Sequence, residues 1–319
     1  MKGRKHSAVV HIYQRSLNGF NLFYSFEDYL LFYTLVSVMK KKYDVVFLGH
    51  CIMVDHFHSL VKDKEDDSIR RMFQQIIRIY AREFNKEIKN SLDSCSGRTK
   101  SVFAKSFGRA KKVNDKSIRT AISYLYNNPV EKKLCVHAED YRWNFLAYAD
   151  SRNPFSERLV LRYASRKLRR CIKLVDFQFK EGRYLTYAFI RNLFSGLSGK
   201  QKRQLVDYII VKYNFIDYES LVNYYGDFQK MLLAINSNTG SEYEFDEDTY
   251  GGSDQIYRIL IEHTQKYLHT SDVKLALRLE VEDKLKLYKY LASQTSANSK
   301  EIEKFIHLSF LRCSGGRSR

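Results

Sequence analysis

The sequence predicts an α+β fold: a ferredoxin-like split βαβ domain, an antiparallel sheet with helices on one face, followed by a mostly α-helical C-terminal region. Two observations predict it. Strand-like and helix-like stretches alternate in the order β, α, β, β, α, β with one further helix up to about Asp150. Beyond about Asn153 the strand signal fades and helical spacing takes over.

The first strand is "SAVVHIYQRS" (Ser7 to Ser16), alternating and β-branched. A helix follows in "SFEDYLLFYTLVSVMKKK", where Ser25 and Asp28 stand at capping-box spacing and Leu30, Leu31, Thr34, Leu35 and Val38 form a mainly apolar stripe. "YDVVFLGHCIMV" and "HFHSLVKD" read as two strands joined by a tight connection at Val54 and Asp55. Asp66, Asp67 and Ser68 can cap the next helix, whose Ile69, Met72, Phe73, Ile76, Ile77, Tyr80 and Phe84 make one long apolar face. After the polar loop "SLDSCSGRTK", "SVFAKSFGRAKKV" supplies the last strand. A third helix, "NDKSIRTAISYLYNNPVEKKL", is capped by Asn114 or Asp115 and stopped by Pro129. Such a sheet, with helices on one face, leaves the other free for a ligand.

The expected organisation is a catalytic domain over 1–152, a basic helical region over 153–236, an acidic loop over 237–254, and a helical region with a basic tail over 255–319. The segment "SERLVLRYASRKLRRCIKLV" would link the halves or lie along phosphate. Near the end, Leu285, Leu287, Tyr288 and Leu291, a break at Ser296 to Asn298, then Ile302, Phe305 and Ile306 fit a helix-turn-helix and fit equally a plain helical hairpin.

Lys and Arg outnumber Asp and Glu by 54 to 36, a net charge of +18 that favours polyanionic partners, nucleic acid before an anionic membrane surface. No apolar run approaches the roughly 20 residues of a spanning helix, and "MKGRKHSAVVHIYQRS" lacks the pattern of a secretory signal, so a soluble cytoplasmic, nucleoid-associated protein with no membrane partner is expected. Cys51, Cys95, Cys135, Cys171 and Cys313 are odd in number and never form a C-x-x-C pair, which points to reduced thiols.

In "CIMVDHFHSLV" (Cys51 to Val61), His56 and His58 leave one side of a strand while Phe57 leaves the other. Such a fork suits a divalent metal, and it also suits a polar strand face. In "ISYLYNNPV", Tyr124 and Asn128 are four apart on one helical face, opposite Ile118, Ala121, Ile122 and Leu125. If that helix packs beside the sheet, Asn128 completes a three-ligand site with His56 and His58, and the Tyr124 hydroxyl approaches a phosphate held there. Two imidazoles and one oxygen donor fit Mg²⁺ or Mn²⁺, with Zn²⁺ also allowed by ligand type. A tyrosine nucleophile forms a phosphodiester that preserves bond energy for rejoining. Tyr126, two residues on, points elsewhere on the helix and serves as a control.

"HIYQR", "CIMVDHFHSLV", "SYLYNNPVEKKL" and "EDYRWNFLAYA" (Glu139 to Ala149) resemble, in this order and spacing, the single-tyrosine HUH transposases, among them insertion-sequence and REP-associated tyrosine transposases. The resemblance covers roughly Met1 to Asp150. It implies metal-dependent cleavage and joining of single-stranded DNA through a 5′-phosphotyrosine, with hairpin DNA recognised nearby. Carried over, the metal ligands fall on His56, His58 and Asn128, and the nucleophile on Tyr124. Val54 and Asp55 depart from the Pro-Asn that usually precedes the first histidine, a change expected to alter the turn and leave the ligands intact. Either a homodimer sharing catalytic parts or a self-sufficient monomer agrees with the resemblance. Two other functions use the same residues differently: a DNA-binding regulator that kept the fold without efficient catalysis, and a metal-dependent RNA or nucleotide phosphodiesterase that needs no Tyr124.

Overall fold

The computed structural model describes residues 9–43, 45–63, 66–88, 101–237 and 254–308. The loop 91–100, most of the acidic run 237–254 and the basic tail lie outside the described residues.

Four strands, β1 (Val9–Arg15), β2 (Val45–Ile52), β3 (His56–Asp63) and β4 (Gly108–Lys112), form one sheet in the order β2-β3-β1-β4. Every neighbouring pair is antiparallel, as the split βαβ order requires. In the β1–β3 register Tyr13 stands opposite His58 and Arg15 opposite His56. Directly paired residues share a face, so His11, Tyr13, Arg15, His56, His58 and Leu60 lie on one side, and Val10, Ile12, Phe57 and Val61 on the other.

The second side is the aromatic core. Helices α1 (Phe26–Lys40) and α2 (Asp66–Glu87) cover it. Phe32 lies 4.9 Å from Phe57, which stacks on Phe73 at 5.9 Å. Asp66 to Ser68, expected ahead of α2, form its first turn instead. The expected last strand is short, because Phe103 makes only an isolated bridge to Ser16 before β4 begins at Gly108.

The first side, expected to be open, receives α3 (Asp115–Glu131). Asn114 caps it by accepting from Ser117 N at 2.8 Å. Pro129 does not stop the helix. It sits inside the last turn, where its missing N–H is tolerated, and Lys132 N donates to Asn128 O at 3.1 Å before Lys133 leaves at φ 56°. The helix is close to β2: a Cβ at Gly49 would stand 3.2 Å from the Tyr126 hydroxyl, so only glycine lets the two approach.

Helices α4 (Arg166–Lys180), α5 (Tyr187–Phe194), α6 (Gly199–Lys212), α7 (Tyr218–Asn223), α8 (Phe228–Asn236), α9 (Gln255–Leu268), α10 (Leu275–Arg278), α11 (Val281–Gln294) and α12 (Ser299–Ile306) build onto the first domain. One hydrophobic cluster joins Phe32, Phe57 and Tyr80 to Ile190, Leu205, Leu287 and Phe305. Asp217 N donates to Phe47 O at 2.8 Å, fixing the chain ahead of α7 beside the β2 edge. The Tyr24 hydroxyl donates to Phe305 O at 2.6 Å, so α12 packs on the first domain.

Asp28 links the two parts most directly. Its Oδ2 accepts from Tyr24 N and Ser25 N at 3.0 and 2.9 Å, the role expected of a capping residue. Its Oδ1 accepts from the Tyr187 hydroxyl at 2.6 Å and Lys274 Nζ at 2.9 Å, both far along the chain. Asp28 and Lys274 are both buried, and an ion pair with this many donors is fully satisfied.

Candidate active site

The structure brings His56, His58, Tyr124 and Asn128 together on the α3 side of the sheet. β3 alternation projects both imidazoles, whose ring centroids are 5.0 Å apart. Helical spacing then sets Tyr124 and Asn128 over them: the Tyr124 ring meets His58 edge-on at 5.5 Å, and Asn128 Nδ2 lies 3.3 Å from His58 Nε2. All four are buried, with Tyr124 5% exposed. Tyr126 points away, its hydroxyl 3.4 Å from Leu48 O on β2.

Two residues of β1 that the sequence reading did not assign to the site complete it. His11 Nε2 is 3.0 Å from His58 Nδ1, and its ring also meets Tyr124 edge-on at 5.8 Å. Tyr13 stacks on the other side of His58, with centroids 4.9 Å apart. The period-2 pattern of "VVHIYQR" places His11 and Tyr13 on one face, but only the β1–β3 register reveals which face.

Hydrogen bonding fixes the direction of each imidazole. His58 is held at both ring nitrogens, Nε2 lying 3.3 Å from Asn128 Nδ2 and Nδ1 lying 3.0 Å from His11 Nε2. Burial, together with the neighbouring imidazoles and Arg15, pushes His58 well below the ordinary histidine range, and burial with Lys112 pushes His11 down to about 3. Both rings are therefore neutral at pH 7. His56 Nδ1 bonds Asp55 Oδ1 at 2.6 Å. Burial alone would raise the Asp55 carboxyl, but His56 beside it holds it below the usual carboxylate range. Asp55 thus orients the first histidine, a carboxylate–imidazole contact of the kind found behind metal ligands.

Asn128 Oδ1 is buried and meets no hydrogen-bond donor. A buried amide oxygen without a donor, set among imidazoles, is an arrangement that a cation would satisfy. Among the described residues no group of three or more His, Cys, Asp and Glu side chains could hold a metal. The two imidazoles and the amide present fit a hard or borderline divalent ion with positions left open.

On the face of the site the edge strand β4 contributes Lys112, paired with Val9 and near enough to His11 to lower it, whereas Arg109 and Lys111 pair with Ile12 and Val10 on the other face. On the outer side of α3, Asn127 Nδ2 donates to Ile235 O at 2.5 Å and the Tyr225 hydroxyl donates to Arg119 O at 3.0 Å, so α8 and the turn before it brace the helix that carries Tyr124.

Residues 10–128, a little over a third of the chain, match the family model described as "Transposase IS200 like". This segment is similar to IS200-like transposases. A solved structure, described as the REP associates tyrosine transposase bound to a REP hairpin, is similar over 50% of this chain and 99% of its own, with 15% identity and a TM-score of 0.37. No curated protein matches the chain. All four residues gathered in the site fall within the matched transposase segment. Among the described residues no helix is long and apolar enough to cross a membrane.

Proposed function

We propose that the first domain cleaves and rejoins single-stranded or hairpin DNA, with Tyr124 as nucleophile and His56, His58 and Asn128 holding Mg²⁺ or Mn²⁺. The observation that carries this reading is the meeting of the Tyr124 ring with His58 and His11 beside Asn128, from elements far apart in the chain. A divalent cation bound there would draw charge from the phosphoryl oxygens and orient the scissile phosphate. The Tyr124 oxygen loses its proton and attacks phosphorus in line; the bond to the 3′ oxygen breaks, and that oxygen leaves protonated as a free 3′-hydroxyl. The downstream strand stays on Tyr124 through its 5′-phosphate until another 3′-hydroxyl attacks and restores the phenol.

Burial of Tyr124 supports transfer over hydrolysis, because a covalent intermediate shielded from water survives until a strand end arrives. Tyr13 and His11 clamp His58 between two rings, which keeps its Nε2 on line with the site. Arg15 and Lys112, on the same face of the sheet as the site, supply cations for the backbone phosphates.

The test mixes the full chain with 5′-side- or 3′-side-labelled hairpin oligonucleotides and Mn²⁺, and separates products under denaturing conditions. The expected result is an adduct carrying only the label 3′ of the break. It disappears in Tyr124→Phe and persists in Tyr126→Phe. An adduct that survives Tyr124→Phe overturns the assignment, and specific duplex binding with no nicking would favour the regulator.

A further inference from the structure

Beside the histidine site, on the other side of the β2–β3 turn, lies a cavity of about 220 Å³ between the first domain and α9. Its walls are aromatic: Tyr24, Tyr29, Tyr141, Trp143 and Tyr257 all line it. Trp143 stacks on Tyr29 with centroids 4.5 Å apart and planes 12° from parallel. The hydroxyls of Tyr24 and Tyr141 are engaged outside the cavity, with Phe305 O at 2.6 Å and Ile52 O at 2.9 Å, so these two residues offer it ring surface.

Asn21, Ser25, Asp254 and Arg258 also line it, and two of them carry buried polar atoms without a partner. Asn21 is 1% exposed, and both of its amide atoms are buried with no hydrogen-bond partner. Its backbone is spoken for, with the N–H donating to Lys304 O and the carbonyl held by His307, so the amide alone is left over. Asp254 Oδ2, at the start of α9, is likewise buried and meets no donor. Buried amides and carboxylates without partners are costly, and two lining one cavity mark it as a place for a ligand with matching donors and acceptors.

We propose that this cavity receives one unpaired DNA base bearing an exocyclic amino group. Stacked aromatics bind any base through its π-face. The carboxylate oxygen of Asp254 accepts from an amino group, and the Asn21 amide supplies one donor and one acceptor for the rest of the edge. Adenine, cytosine and guanine carry such an amino group; thymine does not. Arg258, also lining the cavity, adds a cation for the phosphate on the base it holds. The volume suits a single ring system, since drug-sized ligands occupy roughly 300–1,000 Å³. Val54 lines the cavity and is two residues from His56, so a base held here lies near the strand whose phosphate reaches Tyr124. The inference rests on the single-strand reading above and assigns to α9, outside the matched transposase segment, a share in choosing the cleaved sequence.

Trp143 is the one tryptophan of the sequence, which makes its fluorescence a local probe. The full-length Tyr124→Phe protein without metal is titrated with short oligonucleotides of dA, dC or dT, and separately with dAMP and TMP. The expected result is quenching by dA or dC oligonucleotides at concentrations roughly tenfold lower than by dT. Asn21→Leu and Asp254→Asn should each weaken the favoured oligonucleotide about tenfold toward the dT value. Asp254→Asn, at a helix start and partly exposed, keeps the test open if Asn21→Leu does not fold. Quenching by dAMP as strong as by the dA oligonucleotide would assign the cavity to free nucleotides and overturn a strand-bound base. Equal quenching by dT, or none where gel shifts show binding, would also overturn it. Adduct formation by the wild-type protein on the same oligonucleotides is scored in parallel. Adducts without base-selective quenching sink the cavity alone, and selective quenching without adducts sinks the cleavage reading alone.

Discussion

The two faces of the sheet are both covered by helices and are chemically different. Phe57 and His58 are neighbours in sequence and both are 0% exposed, yet one faces Phe32 and Phe73 and the other faces His11, Tyr13, Tyr124 and Asn128. On the α1–α2 face burial stabilises by removing apolar area from water. On the α3 face Leu48, Leu60, Ile122 and Leu125 pack around a cluster of polar rings and amides, where burial keeps His58 neutral. Burial therefore serves folding on one side and, on the other, preorganisation as well.

Phe57→Ala should break the first face most severely. Loss of this ring costs about 3–5 kcal/mol, read as a drop in urea midpoint with little change in slope. A drop near zero would mean the aromatic cluster is not the stabilising side. Next in size is His11→Leu, which removes the partner of His58 Nδ1 while keeping a buried apolar group. Mn²⁺ affinity of the full chain, measured by calorimetry, should fall 10–100-fold, the scale for loss of an outer partner of a metal-bound histidine, with a much smaller loss of stability. Unchanged Mn²⁺ affinity would reduce His11 to packing.

Acid should sharpen the contrast. His50, on the apolar face, bonds Ser59 Oγ at 2.8 Å and is pushed down to about 3 by burial. Its folded pKa lies below the unfolded value of 6.5, so the unfolded chain binds the extra proton. The stability is fully present above about pH 6.5 and is lost progressively as pH falls toward 3. His50→Leu should flatten that decline by about 1 kcal/mol per pH unit, measured by denaturation between pH 4 and 6. An unchanged slope would place the acid sensitivity elsewhere, for instance at His307, which burial lowers to about 4. Tyr126→Phe should have the smallest effect, at most about 1 kcal/mol of stability for its long contact with Leu48 O.

The order of elements along the chain, α1, α2 and the pairing of Tyr124 with Asn128 were legible because each depends on local spacing: period 2 for the strands, four residues for one helical face. His58 and Phe57 were assigned to opposite faces for the same reason. What could not be read depends on register and distance. Nothing near His11 says that β1 lies beside β3 with Tyr13 opposite His58. Asp55 looked like a departure from a turn motif, whereas its carboxylate holds His56 Nδ1. Pro129 signalled a helix end that came two residues later, since a last-turn proline forfeits only one hydrogen bond. Asn21 and Asp254 are more than 200 positions apart, and no local pattern brings them to one cavity.

The carboxylate of Asp28 sets a limit on how the gene can be cut. A fragment trimmed to the matched segment would lose Tyr187 and Lys274, both donors to Oδ1, and would bare the apolar surface packed against Ile190, Leu205, Leu287 and Phe305. Each large apolar side chain so uncovered forfeits roughly 1.5–3 kcal/mol of burial, a large share of a small domain's stability. Grafting or miniaturising this protein would therefore need that surface and Asp28 changed together, because the helical half acts as a structural counterweight to the N-terminal half.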